Sequence, residues 1–166
     1  MHNITIKIGI IAGIFALLLA FIAKIPIYPP ENLVLSFNIF TIDNLEYFFW
    51  GYLVNGTTAY TAVGGSISEV IISTSIWLMI FYIGLSSIFA STNKAKLHNS
   101  IKLFKINILL LSIILLIFGI IIFFILLMNF ALFLYVIGFG YYFIIIILIL
   151  NVTALKILKQ DSVFLN

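Results

Sequence analysis

"INILLLSIILLIFGIIIFFILLMNFALFLYVIGFGYYFIIIILILNVTAL", residues 106–155, runs for 50 residues without one charged side chain. As a single α-helix it would be about 75 Å long at 1.5 Å per residue, against a bilayer hydrocarbon core of about 30 Å. The segment must therefore fold back. Met128-Asn129-Phe130 is the best place for the reversal and gives spans 106–128 and 131–155. A turn near Gly138-Phe139-Gly140 is the alternative, because Tyr135, Tyr141 and Tyr142 would then lie in an aromatic belt.

Two further spans lie upstream. Residues 6–27 form the first, with Lys24 close enough to the headgroups to snorkel and Pro26, Pro29 and Pro30 ending the helix. The run 8–23 has the length of a signal-peptide core, but no small-x-small cleavage site follows, which favours a retained span. Residues 70–90 form the second, and Ser66-Ile67-Ser68-Glu69 before it has capping-box spacing. The expected fold is an all-α membrane protein: one membrane domain of four transmembrane helices at 6–27, 70–90, 106–128 and 131–155. A first loop at 28–68 and a second at 91–105 connect them.

Lysine placement orients this arrangement. Lys7, Lys94, Lys96, Lys102, Lys105, Lys156 and Lys159 fall on one side, and Lys24 stands on the other with Glu31, Asp43, Glu46 and Glu69. The positive-inside bias makes both termini cytoplasmic, in a cell membrane, and turns 28–68 outward. Lys94, Lys96, Lys102 and Lys105 are then expected to contact anionic lipid headgroups, at about 1 kcal/mol each. Asn55-Gly56-Thr57 is a glycosylation sequon on the outward side.

The outward loop is unlike the spans. In "LEYFFWGYLVNG", residues 45–56, Leu45, Phe48, Phe49, Tyr52 and Leu53 occupy i, i+3, i+4, i+7 and i+8. That spacing predicts a short amphipathic helix lying in the headgroup zone, with Trp50 beside it as an interfacial or partner contact. Leu33, Leu35, Phe37 and Ile39 alternate with Asn32, Val34, Ser36 and Asn38, and 57–63 is rich in Thr, Tyr and Val; both segments read as short β-strands. Two short strands cannot cover an apolar face unaided, which points to a partner.

Composition excludes most chemistry. The chain is 64% hydrophobic and 8% charged, against about 25% charged in a soluble domain. It has 35 isoleucines, eight lysines, no arginine and no cysteine, so disulfides and thiolate sites are ruled out. His2 and His98 lie outside the apolar runs and, in this topology, across the membrane from most carboxylates. No triad or metal set can be assembled, no cofactor is expected, and an enzyme is not the expected class. Nucleic acid is not expected as a partner at a formal charge of +3.

Gly9-x-x-x-Gly13 in span one, and Ser75, Gly84 and Ser87 in span two, are of the size that lets membrane helices pack closely. Asn107 and Asn151, near the cytoplasmic boundary, have capping and interhelical hydrogen bonding as their ordinary uses. Lys24 and Glu69 could meet at the outer boundary if spans one and two are neighbours.

Four spans, cytoplasmic termini and a larger first loop with β character resemble the layout of claudin-type tetraspan proteins; the loop here reads "FFWGYL" and has no cysteine pair. The chain also looks like the small hydrophobic accessory subunits around redox cores in prokaryotic respiratory complexes. The expected function is a non-catalytic structural or accessory subunit of a larger integral-membrane assembly, with other membrane subunits and lipids as partners. The alternatives are a small oligomeric channel or transporter, and a tetraspan surface protein acting through residues 28–68.

Overall fold

Apolar runs broken by lysine, proline and glycine decide where helices form and stop. In a computed structural model of the chain, residues 3–28, 33–42, 44–54, 58–61, 67–92, 97–128 and 136–164 are described. Among them are four helices, α1 (Asn3–Phe21), α2 (Ile67–Ala90), α3 (Leu97–Met128) and α4 (Phe139–Phe164). Within these, Val70–Ala90, Leu97–Met128 and Phe139–Gln160 are long and apolar enough to cross a membrane, as the helices of an integral membrane protein are. The apolar part of α1, Thr5–Phe21, is shorter, and α1 packs along both α2 and α4.

The first helix stops at Phe21 and does not run to residue 27. Pro26 has no amide hydrogen and forces the residue before it into extended backbone. The chain instead enters β1 (Lys24–Tyr28), which pairs antiparallel with β2 (Leu33–Ser36) through Lys24↔Ser36, Ile25↔Leu35 and Pro26↔Val34. At the far reversal, α3 ends at Met128, while α4 begins at Phe139 instead of residue 131. Asn129 and Phe130 lie outside the described residues. Val136–Gly138 is held against the strands, with a bridge from Ile137 to Phe40.

The short interfacial helix is not formed. Leu45–Phe48 is β4 and Gly51–Val54 is β5, the middle strands of a four-stranded antiparallel sheet in the order β3 (Phe40–Ile42), β4, β5, β6 (Thr58–Thr61). Aromatic-rich sequence satisfies helical spacing and β preference together, and Gly51 decides between them: its φ of 149° suits a tight strand reversal and no helix. The clustered aromatics become a cross-strand ladder. The Phe40 ring stacks on Tyr47 at 4.6 Å, Tyr47 lies 5.7 Å from Tyr52, and Tyr52 pairs in register with Tyr60.

The apolar face of these strands is covered by the chain itself. Phe37, Ile39, Phe40 and Phe49 are buried in one core with Leu19 of α1, Ile80 and Ile83 of α2, Leu111 to Ile122 of α3, and Ile144 and Ile147 of α4. The Phe49 ring meets Phe118 edge-on at 5.8 Å. No outside partner is needed to close this face, which removes the reason for expecting one there. A second, smaller cluster of Ala90, Phe104, Ala154 and Leu158 closes the other end of the bundle.

Candidate functional site

Along α3 the buried positions are Ser100, Phe104, Asn107, Leu111, Ile114, Phe118 and Ile122, a three-and-four spacing that puts one stripe inward. Asn107 is therefore aimed at the core. On α4 the buried stripe runs Ile144, Ile147, Asn151, Ala154 and Leu158, which brings Asn151 to the same level. Ser86 and Ser87 of α2 complete the group, and all four are at most 6% exposed.

These side chains satisfy one another. Ser86 Oγ donates to Asn107 Oδ1 at 2.6 Å, and Ser87 Oγ donates to Asn151 Oδ1 at 3.0 Å. Asn107 Nδ2 donates to Ser87 Oγ at 2.9 Å and to Asn151 Oδ1 at 3.4 Å. Asn151 Nδ2 turns back to the carbonyl of Ile147 at 2.9 Å. Three helices are tied at one level by amide and hydroxyl groups alone. None of them titrates near neutral pH, so the group can fix helix register but supplies no base or proton carrier.

The small residues form a neighbouring seam. A Cβ on Gly9 would collide with Ser91 Oγ and come within 2.9 Å of the Phe104 ring. One on Gly13 would strike the Ile88 side chain and stand 2.7 Å from the Gly84 carbonyl oxygen. Both glycines of the Gly-x-x-x-Gly pattern are thus occupied within the same chain, Gly9 by Ser91 just after α2 and by Phe104 of α3, Gly13 by α2. Ser75 is different: it is exposed, and its hydroxyl donates within its own helix to Ile71 O at 2.7 Å.

At the β-bearing end, Lys24 Nζ lies 2.9 Å from both carboxylate oxygens of Glu46, and Ser36 Oγ donates to Glu46 at 3.1 Å. This ties the two-stranded sheet to the four-stranded one. Lys24 therefore meets Glu46; the Glu69 side chain lies outside the described residues. Trp77 Nε1 donates to Ala20 O at 3.0 Å, capping the end of α1.

Of the residues expected to meet a partner or the membrane surface, Phe48, Phe49 and Leu53 are buried, whereas Leu45, Trp50 and Tyr52 are half-buried. Trp50 stacks on Phe48 at 5.2 Å. Lys102 and Lys105 are exposed on α3, as are Lys7, Lys156 and Lys159 on α1 and α4. Asn55, Lys94 and Lys96 lie outside the described residues. Among the described residues, no three of His, Asp and Glu are placed to hold a metal ion.

Sequence reasoning offers Gly138-Phe139-Gly140 as a reversal and Asn38 as a strand position, but not their contact. Gly138 N donates to Ile39 O at 2.9 Å and Gly140 N to Asn38 O at 2.8 Å, so the start of α4 rests directly on the Phe37–Phe40 backbone. The Gly138-Phe139-Gly140 spacing was the available sign: two close approaches need two residues without a side chain. No protein-family model, curated protein or solved structure matches the chain.

Proposed function

We propose that the chain is a non-catalytic structural subunit of a larger integral-membrane assembly. It crosses the membrane of the cell four times, with both termini on the cytoplasmic side. The observation that carries this reading is the closure of the Ser86–Ser87–Asn107–Asn151 group on itself. An ionisable residue buried in a membrane helix usually marks a pathway or a ligand, whereas these buried groups are neutral and serve each other. Their product is a rigid bundle.

The packing of α1 along α2 and α4 supports the fourth span. The lysine bias supports the orientation. A channel assembled through the Gly9/Gly13 face is disfavoured, because Ser91, Phe104 and α2 of the same chain already fill that face. Contact with other subunits then falls to the exposed apolar flanks, where Leu116 of α3 is 62% and Ile149 of α4 is 57% exposed.

The test is site-specific photo-cross-linking in native membranes, with the reactive group at Leu116 or at Ile149. Covalent adducts to other membrane proteins are expected from at least one of the two positions. Adducts to lipid alone from both would count against the reading.

A further inference from the structure

Helix length, lysine position and the seat of the strands together fix a depth. Lys102 and Lys105 are exposed on α3, and exposed lysines of a membrane helix stay at or beyond the edge of the hydrocarbon. From Lys105 to Phe118 the helix rises about 20 Å, and from Lys105 to Met128 about 35 Å. A core of about 30 Å that starts at Lys105 ends near Ile125. Phe118, the residue against which Phe40 packs at 6.1 Å and Phe49 at 5.8 Å, falls well inside that limit.

The surface at this level agrees. On α3, Ile120, Phe123 and Phe124 are between 49% and 61% exposed. Counting outward from the Ser86–Asn107 bond along two antiparallel helices places Ile71 of α2 level with Ile122; Ile71 and Ile72 are 61% and 60% exposed. In water this collar would be an apolar patch without cover.

Irregular backbone can lie at such a depth only where protein satisfies it. Here six of its amide and carbonyl groups find protein partners. Phe37 N donates to Ala23 O at 2.8 Å and Ile39 N to Tyr47 O at 2.7 Å, while the carbonyls of Asn38 and Ile39 accept from Gly140 and Gly138. The Asn38 side chain donates to Thr41 Oγ1 at 2.8 Å. The nearby charges, Lys24 and Glu46, neutralise each other.

We propose that the seam formed by Phe37–Phe40 and Val136–Gly140 lies within the hydrocarbon of the leaflet on its side, and that the collar around it takes lipid acyl chains. The seam works as a protein-lined re-entrant element, and the boundary with water is two to three helical turns further out. This requires that the helices cross a bilayer; it does not require that the chain be a subunit.

The chain has no cysteine, so single labels report cleanly. Ile71→Cys and Ile120→Cys, each spin-labelled, are reconstituted alone in phosphatidylcholine vesicles, with Leu116→Cys as the lipid reference and Lys102→Cys as the aqueous one. Accessibility to oxygen and to a water-soluble nickel chelate is then measured. Both test positions should give an oxygen-to-nickel ratio like that of Leu116 and well above that of Lys102. Preferential access to nickel at either position would place the seam in water and overturn the proposal. Protection from both reagents would mean a protein cover and would overturn it equally.

Discussion

Asn107 of α3 and Asn151 of α4 face each other across the bundle, Nδ2 to Oδ1 at 3.4 Å, and Ser87 of α2 is hydrogen-bonded to both. Each helix could slide against its neighbours at little cost if only Ile and Leu lined the contact. One polar group per helix, all at one level, removes that freedom.

Replacing Asn107 with Ala orphans partners on two other helices, and a loss of about 1–3 kcal/mol is expected for unpaired buried groups. Asn151→Ala should cost a similar amount. The double variant should lose less than the sum, with a coupling near the roughly 0.6 kcal/mol average measured for hydrogen bonds between membrane helices. Reversible unfolding in bicelles gives the cycle. Strict additivity would mean that the two residues do not act together.

The glycine seam predicts a difference in rescue. Gly9→Ala collides mainly with the Ser91 hydroxyl, and Gly13→Ala with the Ile88 side chain and the Gly84 carbonyl oxygen together. Overpacking costs of about 1–3 kcal/mol are expected for each. Ser91→Ala should restore much of the stability lost in Gly9→Ala, because the obstacle is a side-chain atom. Ile88→Ala should restore Gly13→Ala only in small part, since the Gly84 carbonyl oxygen still blocks it at 2.7 Å. Equal rescue of both would contradict the close approach of α1 and α2.

Hydropathy made the apolar helices legible, because a charge-free run of membrane length has few other fates. The inward face was not legible. α3 and α4 are apolar all round, and only their pairing shows that Asn107 and Asn151 point to each other and not to lipid. The aromatic loop misled for a definite reason: Leu45, Phe48, Phe49, Tyr52 and Leu53 fit helical spacing, while the competing evidence was a single glycine. The contact of Gly138 and Gly140 with Asn38 joins residues about a hundred positions apart, which local patterns do not encode.

That contact predicts a contrast among glycines. A Cβ on Gly138 or Gly140 would strike the backbone oxygens of Asn38 and Phe37, whereas one on Gly119 meets only the Tyr141 hydroxyl, at 3.2 Å. Gly138→Ala and Gly140→Ala should each lift the start of α4 off the strands. Hydrogen exchange measured on the purified protein should then be faster at Ile39 and Tyr47. Gly119→Ala should leave exchange there unchanged. Unchanged protection in all three variants would rule out the seam.

The Lys24–Glu46 pair is about a quarter exposed on each side. An ion pair in water contributes about 1 kcal/mol or less. Glu46→Gln leaves the largely buried Lys24 without its carboxylate and should exceed that loss. The exchange Lys24→Glu with Glu46→Lys should recover most of it. Thermal melts of the reconstituted variants are the measurement, and a loss from Glu46→Gln too small to resolve would show that the pair stands in water.

The central claim, that this chain serves by what it holds together, is tested most directly by the mass of the particle in which it leaves the membrane. Extraction of the full chain in mild detergent, followed by native mass spectrometry, should give a species well above 18.7 kDa that contains other integral-membrane chains in fixed ratio. A homogeneous monomer with no other protein attached would contradict the account.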